Sequence, residues 1–123
     1  MLKHDLFRDE SILVLTPEAP LEAKDFEILR SEIDPYIEQA GNLRGLMIHT
    51  ESFPGWDNLA AFLSHLKFIK NHHQRIEKVA EVTDSGFLAI MARISSHFVQ
   101  TKIRHFPFEE KEAAMAWIKS DKG

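Results

Sequence analysis

Seven histidines and no cysteine set the range of chemistry open to this chain. A helical zinc site needs His at i and i+4, as in H-E-x-x-H, so that both rings share a face. His65 has Ile69 at that spacing, and His72 and His73 are neighbours that point apart on a helix. The histidines therefore read as surface groups at a basic helix end, and neither a metal nor a cofactor is expected. Without cysteine there is no thiol nucleophile, Cys-type zinc site or disulfide, which fits a reducing compartment. A hydroxyl nucleophile needs an activating base and an oxyanion pocket. Thr83-Asp84-Ser85-Gly86 sits at a strand-to-helix turn but is not G-x-S-x-G. The simpler reading is that Asp84 or Ser85 caps a helix while Gly86 relieves crowding. Gly55 and Gly86 stand alone, so no glycine-rich phosphate loop is present. The carboxylates form no recognisable acid/base pair and read as solvated faces. The expectation is a binding domain, not an enzyme.

The unusual chemistry of the chain is apolar. Phe53-Pro54-Gly55-Trp56 places two large rings in a loop. Either they pack down as a lid on the core, or they form a mobile contact surface for a partner, lipid or ligand. Pro54 stiffens such a loop and Gly55 permits backbone angles that other residues avoid. Phe53 and Trp56 are expected to cover an apolar pocket lined by Phe62, Phe87, Met91 and Ile94. An aromatic patch beside basic residues also suits peripheral membrane contact, with Lys67 and Lys70 toward anionic headgroups. Ordinary helix-end charge explains the same lysines.

Elements must position these groups, and the periodicity supplies them. Leu6-Phe7 and Ile12-Leu13-Val14-Leu15, separated by the polar turn Arg8-Asp9-Glu10-Ser11, read as a hairpin. Phe26, Leu29, Ile33, Ile37 and Ala40 give a helix face, with a kink or restart expected at Asp34-Pro35 and a stop at Gly41. Leu43 to Thr50 is a strand buried on both faces. Asp57 then caps a helix carrying Leu59, Phe62, Leu63, Leu66 and Ile69 on one side, with a basic end at Lys67, Lys70, His72, His73 and Arg75. Val79–Val82 is a further core strand. A helix after Thr83-Asp84-Ser85 shows Phe87, Ile90, Met91, Ile94 and Phe98. Thr101–His105 is the last strand, with Ile103 inward, and Glu109–Lys119 the last helix, using Ala114, Trp117 and Ile118.

The order β-β-α-β-α-β-α-β-α predicts an α/β fold: a mostly parallel five-stranded sheet with an antiparallel edge strand and about four helices. Four parallel strands are expected around Leu13, Met47, Val79 and Ile103, with the antiparallel edge near Leu6. In such sheets ligands bind beyond the carboxyl ends of the strands. Here those ends lead into Thr16–Pro20, Glu51–Trp56, Thr83–Gly86 and Phe106–Phe108. A chain of 123 residues without linker, repeat or low-complexity stretch fits one domain over 1–123. The formal charge of -4 argues against nucleic acid. The start Met1-Leu2-Lys3-His4-Asp5 lacks the apolar run of a signal peptide, and no apolar stretch approaches the roughly 18 residues that span a bilayer. A cytoplasmic protein, peripheral to the inner face of the membrane at most, is expected.

This arrangement resembles the STAS fold, and its details are similar to the SpoIIAA-like family. The carrying segments are Leu43-Arg44-Gly45-Leu46-Met47-Ile48, then Phe53-x-Gly55-Trp56, then Ile103-Arg104-His105-Phe106-Pro107 and Ala113-x-x-x-Trp117-Ile118. Their order and spacing over nearly the whole chain carry the resemblance. It implies a compact, non-catalytic domain. Relatives with true SpoIIAA function switch partners with an anti-sigma factor, under control of a phosphoserine in D-S-S-G-L at the start of the helix after the third strand. The matching stretch here, Gly55-Trp56-Asp57-Asn58-Leu59, offers no hydroxyl, and Asp84-Ser85-Gly86 follows a different strand. The resemblance extends to the lipid-binding CRAL-TRIO fold and implies nonpolar ligands and membrane contact. The leading expectation is thus a domain for a nonpolar small molecule or lipid, its site between the Phe53–Trp56 loop, the Asp57–Asn71 helix and the Gly86–His97 helix. A regulatory interaction module without the phosphoserine switch is the alternative, and a homodimer is left open.

Overall fold

The computed structural model describes residues 2–86 and 101–120. Strands β1 (Leu2–Phe7) and β2 (Ile12–Pro17) form the expected hairpin, antiparallel, with Leu6 opposite Leu13. Helix α1 (Ala23–Ala40) leads to β3 (Leu43–His49), and α2 (Leu59–His72) leads through a short 3-10 turn (His73–Arg75) to β4 (Ile76–Val82). Strand β5 (Lys102–Phe106) and helix α3 (Lys111–Lys119) complete the fold. The sheet order is β1-β2-β3-β4-β5, with every pair after the first parallel. The α/β fold with an antiparallel edge is therefore as expected. Among the described residues there are three α-helices against about four expected. The missing one, Gly86–His97, lies almost wholly outside the described residues, as do Phe87, Met91 and Ile94.

Each face of the sheet buries its own cluster. On one face Ile12, Val14, Met47, Ala80 and Val82 pack with Phe106 against Ala114, Trp117 and Ile118 of α3. On the other, Leu13, Leu15, Leu43 and Leu46 pack against Leu29, Ile33 and Ile37 of α1. This is the period-two division of parallel strands sandwiched between helices. Gly45 on β3 lets α3 come close: a Cβ there would lie 2.2 Å from Cγ2 of Ile118.

Several local expectations are corrected. Helix α1 runs unbroken through Pro35 with no restart, because Ile33 and Ile37 on either side are both anchored in the core. It opens on a capping box in which the Glu22 backbone N–H donates to Asp25 (2.8 Å), and it stops at Gly41, where φ is +92°. Asn58, not Asp57, caps α2: its side-chain oxygen accepts from the Ala61 N–H at 2.9 Å. His72 is not a surface group. It is buried, its ring stacked on Phe68, with Nε2 2.7 Å from Asp34 of α1 and Nδ1 2.8 Å from the Phe68 carbonyl. It ties α2 to α1. The larger reversal is the helix face. Leu59 is 71% exposed, and Leu63, Leu66 and Ile69 are exposed with it, while Ala61 and His72 are the buried positions.

Candidate functional site

Helix α2 packs on α1. That stance leaves a cavity of about 230 Å³ between α2 and the sheet. Leu15, Leu46, Ile48, Val79 and Ile103, alternate positions on successive strands, supply its floor. Phe26 and Leu29 of α1 close one side. Phe62, His65, Leu66 and Ile69 of α2 form the roof, with Phe53, Trp56, Pro17 and Leu21 at the carboxyl end of the strands. The cavity thus reaches the end of the sheet where the fold class places ligands.

The Phe53–Trp56 loop is built into this end. Trp56 lies edge-on to Phe53 (centroids 5.1 Å apart) and to Phe62 (4.9 Å), and its indole Nε1 donates to His65 Nδ1 at 3.0 Å. Its backbone is held as well: the Leu21 N–H donates to the Gly55 carbonyl and the Asp57 N–H to the Leu21 carbonyl, each at 2.8 Å. Gly55 adopts φ +85°, the angle the turn requires. His65 stacks on Phe26 with centroids 5.0 Å apart, and burial lowers its pKa to about 4. A neutral ring is what an Nδ1 acceptor needs.

Of the residues named from sequence, Phe53, Trp56 and Phe62 converge on the cavity; Phe87, Met91 and Ile94 lie outside the described residues. Lys67 and Lys70 are exposed on α2 outside the cavity lining. Five polar residues lining the cavity were missed as site members: His65, His72, His73, Glu81 and Thr101. Glu81, on β4, is buried; burial pushes its carboxyl up to about 7, and its Oε2 has no hydrogen-bond partner. A Glu in the otherwise apolar run Val79-Ala80-Glu81-Val82 was the available signal. Among the described residues no three His, Asp or Glu side chains converge as metal ligands.

The Thr83–Gly86 turn has a structural part. The Thr83 hydroxyl accepts from the Ser85 N–H (3.0 Å), and the Asp84 carboxylate accepts from the Phe108 N–H (3.0 Å), knitting two loops together.

The SpoIIAA-like family model matches residues 12–119. A crystal structure of an uncharacterized protein of the DUF3478 family from Shewanella loihica PV-4, with a SpoIIAA-like fold, is similar with a TM-score of 0.71. The match covers 96% of this chain and 92% of that one at 19% identity, a likeness of fold. No curated protein matches the chain.

Proposed function

The chain belongs to the SpoIIAA-like family, and from that premise we propose that it is a non-catalytic binding domain taking a nonpolar, lipid-like ligand beneath α2. The observation that carries this reading is the cavity itself. It is walled mainly by aliphatic and aromatic side chains, reaches the carboxyl end of the strands, and has the Phe53, Trp56 and Phe62 rings clustered at that end. Apolar burial is the driving force such a site offers, at roughly 25 cal/mol per Å² removed from water. The test is mass spectrometry of small molecules released when natively purified protein is denatured, for wild type and for Val79→Phe, which fills the cavity floor. The reading expects a nonpolar species in the wild type that the folded variant lacks. Equal recovery from both proteins, or none from wild type, counts against it.

A peripheral membrane role accompanies this reading, and the exposed stripe of α2 supports it. Leu59, Leu63, Leu66 and Ile69 follow one another at helical spacing and are all exposed, Leu66 and Ile69 at the edge of the cavity roof, with Lys67 and Lys70 on the same helix. No helix among the described residues is long and apolar enough to cross a membrane. The same stripe would serve a regulatory protein partner, the second reading; Asp57 and Asn58 stand exposed where such relatives carry a switch serine.

A further inference from the structure

Buried polar atoms are nearly always paired, so an unpaired one calls for a partner. Among the described residues three buried side-chain atoms have none, and two of these, Glu81 Oε2 and His73 Nδ1, belong to residues lining the cavity beneath α2. Glu81 is only 9% exposed. It lies on the cavity face of β4, in register with Ile48 of β3 and His105 of β5, and two residues beyond Val79. His105 is directed elsewhere, its Nε2 2.7 Å from the Thr83 carbonyl. A carboxyl acceptor therefore sits unpaired, as does His73 Nδ1, in a site lined mainly by apolar side chains.

We propose that Glu81 is the polar anchor of this site, and that its ligand is a small apolar molecule bearing one hydrogen-bond donor, a hydroxyl or an ammonium group, directed at the Glu81 carboxyl. The inference rests on the binding reading given above and adds the chemistry of the ligand to it. An apolar body fills the space between α2 and the sheet, and the donor satisfies Oε2. A fatty acid is the wrong partner, because its carboxylate would face a second carboxyl in a dry site. Size agrees with a small ligand: a cavity of 150 Å³ holds a benzene, so this one holds about nine heavy atoms. With the Glu81 carboxyl near neutrality in its titration, mildly alkaline solution presents it as a pure acceptor.

The experiment is isothermal titration calorimetry at mildly alkaline pH with 1-octanol, octylamine, octanoate and methyl heptyl ether. The ether matches octanol in size and lacks its donor. Wild type is expected to bind octanol and octylamine at least about tenfold tighter than the ether or octanoate, the discrimination a charge-assisted hydrogen bond supplies. In Glu81→Leu the octanol and ether affinities converge. Glu81→Gln, which keeps shape and an acceptor oxygen, retains the octanol preference and loses at least about tenfold for octylamine. Thermal melts establish that each variant is folded. Equal wild-type affinity for octanol and ether, or a preference that survives in Glu81→Leu, overturns the anchor while the binding reading stands. Unchanged octylamine affinity in Glu81→Gln overturns the anchor too. Binding of none of the probes overturns both.

Discussion

The indole of Trp56 is latched to the ring of His65: Nε1 of the one donates to Nδ1 of the other across 3.0 Å, joining the loop after β3 to the middle of α2. The two backbone bonds to Leu21 fix the loop at its base, so this contact fixes its ring. Trp56→Phe keeps an aromatic ring and removes the donor. It is expected to lower stability by about 1 kcal/mol, or about 4 °C in melting temperature. His65→Phe should cost a similar amount, and the double variant less than the sum of the two. Additive losses would show that the latch contributes nothing.

The two shifted groups of the cavity act on stability with opposite sign. Glu81 titrates near 7 in the fold instead of 4.5. The folded state therefore holds its proton more tightly, and Glu81 lowers stability as pH rises from about 4.5 to 7. His65 titrates near 4 instead of 6.5. The unfolded state binds that proton more tightly, and His65 raises stability as pH rises from about 4 to 6.5. Each effect is at most roughly 3 kcal/mol. Urea melts of Glu81→Gln across this range should show stability climbing with pH, and those of His65→Gln should show it falling. Parallel profiles for wild type and both variants would contradict the assignment.

Gly45 and Ile118 set the distance between β3 and α3. A methyl group at position 45 meets Ile118 Cγ2 at 2.2 Å and its Cβ at 3.2 Å, atoms close to the helix backbone that have little room to move. Gly45→Ala is expected to cost about 1–3 kcal/mol in chemical denaturation. Ile118→Leu, which has no Cγ2 branch, should restore part of that loss in the double variant. No recovery would place the strain elsewhere.

The exposed stripe of α2 predicts a salt-sensitive association with vesicles containing anionic lipid. Leu59 and Leu63 are exposed and lie outside the cavity lining, so Leu59→Glu and Leu63→Glu should leave the fold intact. Both should abolish co-sedimentation. Replacing Lys67 and Lys70 together should weaken it by about 1 kcal/mol per charge. Trp56→Ala separates the loop from the helix: binding that survives it assigns membrane contact to the α2 stripe alone.

Strand positions and directions were legible in the sequence because they rest on local periodicity and on the alternation of strands with helices. Leu13, Met47, Val79 and Ile103 could be placed in four parallel strands from their apolar runs, and Leu6 in the antiparallel edge. Phe53, Trp56 and Phe62 were also legible, since rings of that size beside a Pro-Gly turn need something to cover. The polar members of the site were not. His65, His72 and Glu81 belong to types that are mostly solvated, and only Glu81, set in the apolar run Val79–Val82, carried a local mark of enclosure. Helix α2 shows why. It offers one stripe with Leu59, Leu63, Leu66 and Ile69 and another with Ala61, His65, Phe68 and His72, and hydrophobicity alone favours the first for the core. The structure turns the second inward, because His72 meets Asp34 and His65 meets Phe26 across the contact with α1. Periodicity determines that a helix has faces; only the neighbour it packs against decides which face is buried, and with it the cavity and the charge state of the groups inside.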